Sequence, residues 1–378
     1  MRPIYLDHNA TTPLLPEVLD AMLPYLREHF GNPSSGHAYG REAHAAIDRA
    51  RARVAALIGA DDDEIVFTSG GTEANNLAIR GATTARPERR HVVTTAIEHP
   101  ATARPCAWLE GQGWRVDRLG VDADGRVRPD DARAALRGAP ALLTVIHAHN
   151  ETGVIQPVED LAALAREAGA LVHTDAAQSL GKVALAVTSL GVDLLSIAGH
   201  KLYAPKGVGA LYVRRGAPLA PLLLGAGHER GLRPGTENVA AIVGLGVACE
   251  LAGRDLGRTA ARIRGQRDRL WQLLAAAVPG LALNGDRERR LPNTLSVRFP
   301  GTTGAEVLAG APEVAASTGS ACHDGHAQAP AAIVAMGVLE ADALGTVRLT
   351  LGRGTTDDDV ATAAAALVRG HAAARARA

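Results

Sequence analysis

Short apolar runs separated by longer amphipathic or turn-rich segments dominate the chain from Glu64 onward. The runs fall at residues 65–68, 91–95, 141–147, 171–174, 194–197 and 209–213. Apolar runs this short read as buried strands, and their alternation with helical segments implies βαβ units and a mainly parallel sheet. The connecting pattern over 161–168 is helical, with Gly169 as its stop. Nearer the N-terminus, a long amphipathic pattern puts Ile47, Val54, Leu57 and Ile58 on one helical face and ends at Gly59. Residues 17–29 also read as helix, and Gly31-Asn-Pro-Ser-Ser-Gly36 between the two is a loop. The opening Tyr5-Leu-Asp-His-Asn-Ala-Thr-Thr-Pro13 is a short strand running into a polar turn.

Past about Gly253 the texture changes. An Arg-rich helix is expected over 258–277, and strands over 293–299 and 346–351. A terminal helix begins at Thr355 or Thr356, where residues 357–359, all Asp, complement the helix dipole. The Ala/Arg tail over 371–378 is expected to fray. The pattern divides the chain into a large α/β domain over 15–252 and a small α+β domain formed by 1–14 with 253–378. A length of 378 residues has room for both. No internal repeat is evident.

Composition narrows the function. Lys plus Arg number 40 and Asp plus Glu number 40, so there is no net charge to favour a nucleic-acid or membrane-surface partner. No run is long and apolar enough to span a bilayer, and the N-terminus lacks the apolar core of a signal peptide. The three cysteines, Cys106, Cys249 and Cys322, are far apart, which is no disulfide framework and fits a reducing cytoplasm.

Candidate chemical residues fall at the carboxyl ends of the expected strands, where α/β sheets bind ligands. Lys201 closes Ser-Ile-Ala-Gly-His-Lys just after an apolar run. It reads either as a solvated surface lysine or as one that loses its proton readily through burial. A neutral amine there suits a Schiff base with a carbonyl cofactor such as pyridoxal phosphate. Thr68-Ser-Gly-Gly-Thr-Glu-Ala74 is either an ordinary strand–helix turn capped by Thr72 or a phosphate cradle at a helix start. Asp175 ends a strand and reads either as a helix cap or as the partner of a pyridine nitrogen, and Gln178 could bond a phenolate oxygen on the same ring. His99 could stack on that ring or be structural. Arg348 reads as a bidentate clamp for a carboxylate or as a structural ion pair. Cys322 lies among small residues that suit a mobile loop, with His323 and His326 beside it to favour the thiolate. An inert buried cysteine and a metal site built with the two histidines are the alternatives, the latter too short of ligands for a standard zinc pattern.

Taken together, the motifs YLDHNATTP, FGNPSS, FTSGGTEANNLAIRG, IEHPA, HNETGVIQP, HTDAAQSLGK, GHKLYAPKGVGALYV, GHERGLRPGTENVAAIVGLG, LPNTLSVRF, STGSACH and VRLTLGR run through nearly the whole chain. In this order they closely resemble the pyridoxal-phosphate-dependent cysteine desulfurases of the class V aminotransferase superfamily. The resemblance implies a fold-type I homodimer with a mainly parallel seven-stranded sheet and sites near the subunit interface. By that likeness Lys201 bonds the cofactor, Asp175 faces the pyridinium and Gln178 the phenolate oxygen, and His99 stacks on the ring. Gly71, Thr72, Ser196 and His200 hold the phosphate, with Thr236 from the partner subunit. Asn150 and Arg348 meet the substrate, with Asn32 as a weaker candidate, and Cys322 takes the sulfur from L-cysteine, leaving alanine. The sulfur then passes to an acceptor such as an iron–sulfur scaffold protein.

Two features depart from the common pattern. His149 stands where the usual motif reads Asn, and Cys322 is followed by His323-Asp-Gly-His326. The latter, with Leu232-Arg-Pro-Gly-Thr-Glu-Asn238, is similar to selenocysteine lyases, so L-selenocysteine is an alternative substrate. A class V aminotransferase or lyase that does not use Cys322 is another alternative, and a catalytically silent scaffold a further one.

Overall fold

The computed structural model describes residues 2–319 and 328–377. Its centre is a seven-stranded sheet built from β2 (Ile65–Thr68), β3 (His91–Thr95), β4 (Arg115–Leu119), β5 (Leu142–Ile146), β6 (Leu171–Asp175), β7 (Leu194–Ala198) and β8 (Gly209–Val213). The strand order is β2-β8-β7-β6-β5-β3-β4. Only β8 runs against its neighbours. Because β8 reverses direction on both sides, β2 and β7 point the same way, and six strands deliver their carboxyl ends to one edge.

Strand alternation sorts side chains onto two faces. On one face Val66, Val92, Leu142, Leu171, Leu194 and Leu211 pack with Ala74 and Leu77 of α3 (Gly71–Thr84) and Cys106 and Leu109 of α4 (Pro100–Gly111). On the other, Phe67, Val93, Leu143, Val172, Leu195 and Ile197 join a larger cluster. Its helices are α1 (Pro16–Arg27), α2 (Ala38–Ile58), α5 (Pro129–Leu136), α6 (Val158–Glu167), the short α7 (Val187–Leu190) and α8 (Val239–Arg254). A strand buried on both faces needs no polar alternation, which is why β5 and β7 read as nearly unbroken apolar runs. Where α2 crosses α8, a Cβ on Gly246 would lie 2.6 Å from the Ala50 Cα, so glycine permits the close approach.

A second core forms from α9 (Leu256–Ala277), β9 (Ala282–Leu283), β10 (Thr294–Arg298), α10 (Gly304–Ala309), β11 (Val314–Ala315), β12 (Thr346–Thr350) and α13 (Asp357–Arg375). Two short helices, α11 (Ala331–Ala335) and α12 (Glu340–Ala343), precede β12. Strand β1 (Ile4–Tyr5) pairs with β11 in parallel, and Leu6 is buried in this core. The chain then leaves it through residues 7–12 and crosses to the edge of the large sheet, where Thr12 bonds the His200 carbonyl through both its backbone N–H and its Oγ1, each at 2.9 Å.

Two expectations need correction. Edge strand β4 went unread because Arg115-Val-Asp-Arg-Leu119 is mostly polar and only one of its residues is buried, as suits an edge. The C-terminal tail does not fray from 371. Helix α13 runs to Arg375, Ala374 is buried, the His371 ring lies against Phe299, and its Nε2 is 3.1 Å from the Pro300 carbonyl. Among the described residues no helix is long and apolar enough to cross a membrane.

Candidate active site

At the shared strand edge a pocket of about 430 Å³ is lined by Gly71, Thr72, His99, Asn150, Asp175, Gln178, His200 and Lys201, with Asn75 and Ala198 among its other walls. They come from the carboxyl ends of β2, β3, β5, β6 and β7 and the segments that follow them. Lys201 lies in a single 3-10 turn that follows β7. Burial pushes its ammonium below the usual value; Asp175 opposes that shift and the positive Arg348 adds to it.

Thr72 is not the N-cap; that position belongs to Gly70, whose φ of 151° and ψ of −178° are open only to glycine. The first N–H groups of α3 lack partners within the helix and open toward the pocket at Gly71 and Thr72. A Cβ on Gly71 would sit 3.0 Å from the Ala198 Cβ, so the helix end lies directly on the strand end.

Asp175 accepts from Asn75 Nδ2 at 2.7 Å and from the Ala177 N–H at 2.9 Å, which aims its carboxylate and holds it in place. His99 is both structural and site-facing. Its Nδ1 accepts the Ala101 N–H at 3.1 Å and so caps α4, leaving Nε2 to carry the ring proton. Burial and the Lys201 charge push its pKa down, with Asp175 pulling the other way.

Gln178 donates from Nε2 to the Asn9 carbonyl at 2.9 Å and accepts at Oε1 from Lys182 Nζ at 3.0 Å. Asn9 is a hub. Its Oδ1 accepts from Lys182 Nζ at 2.9 Å and Asn293 Nδ2 at 3.0 Å, and its Nδ2 donates to Thr294 Oγ1 at 2.9 Å and the Asn150 carbonyl at 3.1 Å.

Arg348 is buried behind Asn150 rather than in the pocket wall. Its Nη2 pairs with Asp7 Oδ1 at 2.7 Å and its Nη1 donates to the Asn150 carbonyl at 3.1 Å, while Nε has no partner among the described residues. The ion-pair reading therefore describes it in this conformation. His149 caps its own turn. Its Nδ1 accepts the Glu151 and Thr152 N–H groups at 3.3 and 3.2 Å, the position from which an asparagine Oδ1 would cap the same turn. Burial holds the ring neutral, at about 3.

Three expected site residues lie elsewhere in this chain. Ser196 is wholly buried two residues back along β7, on the same face as Ala198 but beneath α3, and bonds His173 Nε2 at 2.9 Å; Ala198 is the residue that reaches the pocket. Asn32 is exposed and spends its Oδ1 on the Ser34 N–H at 2.9 Å, and Thr236 is exposed and outside the pocket. Cys322, His323 and His326 lie outside the described residues. Among the described residues no group of three His, Cys, Asp or Glu side chains is placed to hold a metal ion.

The family model for class V aminotransferases matches residues 4–362. The chain belongs to the class V aminotransferase family. Among curated members, the cysteine desulfurase of Gluconacetobacter diazotrophicus is 48% identical over 95% of this chain and 91% of its own. The cysteine desulfurase NifS of Azotobacter vinelandii is 44% identical over 95% of this chain and 90% of its own. A solved NifS-like protein superposes with a TM-score of 0.90 at 35% identity, covering 97% and 98% of the two chains. A structure of SspA in complex with cysteine superposes with a TM-score of 0.81 at 37% identity, covering 92% and 98%.

As a class V aminotransferase the chain also shows residues that its motifs left unremarked. Asn75, one helical turn beyond the glycines, and Lys182, four residues after Gln178, were visible only as polar residues inside recognised motifs. Glu98, next to His99, is held by Thr95 Oγ1 at 2.7 Å and the Ile146 N–H at 2.9 Å, with Oε2 unpartnered. Burial pushes it up to about 8.

Proposed function

We propose that the chain is a cysteine desulfurase that takes sulfur from L-cysteine, releases alanine and passes the sulfur to an acceptor. The observation that carries this reading is the convergence of Lys201, Asp175, His99, Gln178 and the α3 N-terminus on one pocket. The relatives named as cysteine desulfurases support the substrate and the reaction.

The pocket fits pyridoxal 5′-phosphate. A phosphate suits the helix start at Gly71 and Thr72 with His200 beside it, a pyridinium suits the aimed Asp175 carboxylate, and an aldehyde suits an amine depressed by burial, Lys201. When bound, the cofactor supplies an electron sink for the charge left at the substrate Cα. Asp175 keeps the ring protonated, and His99 covers it. Lys201 Nζ, once free, removes the Cα proton and later returns one. Asn150, positioned through its carbonyl by Asn9 and Arg348, meets the substrate.

Sulfur transfer needs a thiolate. Cys106 and Cys249 are buried, with their thiols pushed up to about 12, and neither lines the pocket. The role therefore falls to Cys322. Its thiolate attacks the substrate sulfur, the carbon–sulfur bond breaks with its electron pair staying on the carbon, which takes up a proton, and a persulfide remains on Cys322 as alanine leaves.

We place the working unit as a homodimer, with Thr236 reaching the partner's phosphate. Exposed Leu224 (91%) and Phe30 (78%) are apolar surface of the kind such an interface covers. Incubated with pyridoxal phosphate and L-cysteine, the protein is expected to release alanine; no alanine would overturn the reading.

A further inference from the structure

We propose that Lys182 is a positioning residue that fixes which end of the Gln178 amide faces the cofactor. The inference rests on the cofactor reading above and deepens it.

An amide has a donor end and an acceptor end that differ little in shape, so only its partners decide how it lies. Gln178 has two partners of opposite demand. The Asn9 carbonyl can only accept, and it takes one Nε2 hydrogen at 2.9 Å. Lys182 Nζ donates to Gln178 Oε1 at 3.0 Å. Turning the amide over would set oxygen against the Asn9 carbonyl and, with the ammonium, N–H against N–H, losing both bonds; with a neutral amine it would still lose the bond to Asn9. In the arrangement present, Nε2 keeps one further hydrogen, and Gln178 lines the pocket. A phenolate oxygen accepts and cannot donate, so this is the polarity it requires.

Lys182 is itself held in place. Its second bond, to Asn9 Oδ1 at 2.9 Å, ties it to the same hub that takes the Gln178 proton. Asn9 cannot turn over either, because Thr294 and the Asn150 carbonyl occupy its Nδ2 while Asn293 donates to its Oδ1. Asn293 and Thr294 belong to the second core, so the setting of Gln178 depends on how that core docks. The charged groups that act on Lys182 are Lys201 and Arg348, both cations, and with burial they push its ammonium well down. Protonated or neutral, its amine retains the two hydrogens that these bonds use.

A donor to the ring oxygen stabilises its anionic form. Losing that donor makes the oxygen more basic and holds the proton of the lysine-bound cofactor more tightly. The test is a pH titration of the visible absorbance of pyridoxal-phosphate-loaded wild type, K182M, K182R, Q178A and the K182M/Q178A double variant. Methionine keeps the length of the side chain without a donor, and arginine restores donors. K182M and Q178A are each expected to raise the midpoint by roughly one pH unit. K182R is expected to stay nearer wild type, and the double variant to match Q178A alone. A midpoint unmoved in K182M would overturn the inference. So would an equal K182M shift in the Q178A background, which would mark a charge effect independent of the amide. Wild type that binds no pyridoxal phosphate would instead overturn the cofactor reading itself.

Discussion

Buried titratable side chains around the pocket set how the protein responds to pH. Burial pushes Glu98 up from 4.5 to about 8 and Glu151 up to about 7, the latter against the pull of Arg348. A carboxyl whose folded pKa is raised contributes stability that is complete below its unfolded value and lost as pH climbs through the folded one. Both groups therefore weaken the fold between about pH 4.5 and 8. The buried imidazoles His147 and His173, held down at about 4, act on the other side: their contribution is present above 6.5 and lost as pH falls toward 4. Glu98→Gln removes one alkaline loss without touching the acid one. In thermal melts of the cofactor-free protein, the variant is expected to lose about 2–4 °C less than wild type between roughly pH 5 and 8.5. An unchanged slope would show that Glu98 is ionised in the fold.

At this scale the sequence announced residue types and left their partners hidden. Lys201, Asp175, Gln178 and His99 were legible because each follows an apolar run at a strand end. Ser196 was misjudged because the motif does not reveal that α3 lies over it. Asn9, Asn75 and Lys182 carried no local signal, since partners such as Thr294, 285 positions from Asn9, lie far off in sequence.

At the scale of elements, the β2–α3 junction bears on cofactor affinity. Gly70 adopts a φ of 151° that no side-chain-bearing residue holds without strain, and it orients the first N–H groups of α3. Nothing lies within 4 Å of where its Cβ would stand, so Gly70→Ala acts through the backbone alone. With a cost of about 1–3 kcal/mol, the variant is expected to bind pyridoxal phosphate about tenfold or more weakly, read by fluorescence titration. Unchanged affinity would show that the junction does not orient the phosphate site. Most strands of this sheet were readable because burial on both faces keeps them largely apolar. Strand β4 has one buried residue and gave no such signal, and the C-terminal turn of α13 looked like a solvated Ala/Arg tail because the surface that receives it, around Phe299 and Pro300, comes from a distant segment.

For the whole molecule, residues 7–12 join the second core to the pocket, carrying Asp7 to Arg348 and Asn9 to Gln178 and Asn150. We propose that the two cores are domains whose docking assembles the site. We propose pairing of two copies as the further step. Leu224→Glu is expected to shift the protein from dimer toward monomer in light scattering, and a variant as dimeric as wild type would move the interface elsewhere.

The central claim is sulfur transfer to a specific thiol. Pyridoxal-phosphate-loaded protein is exposed briefly to L-cysteine, alanine is assayed, and the protein is digested for mass spectrometry, with a matched L-selenocysteine run. The account predicts alanine together with one added sulfur on the peptide that contains Cys322, and neither in Lys201→Ala. Alanine without sulfur on that peptide would contradict it and point to a lyase that leaves Cys322 unused.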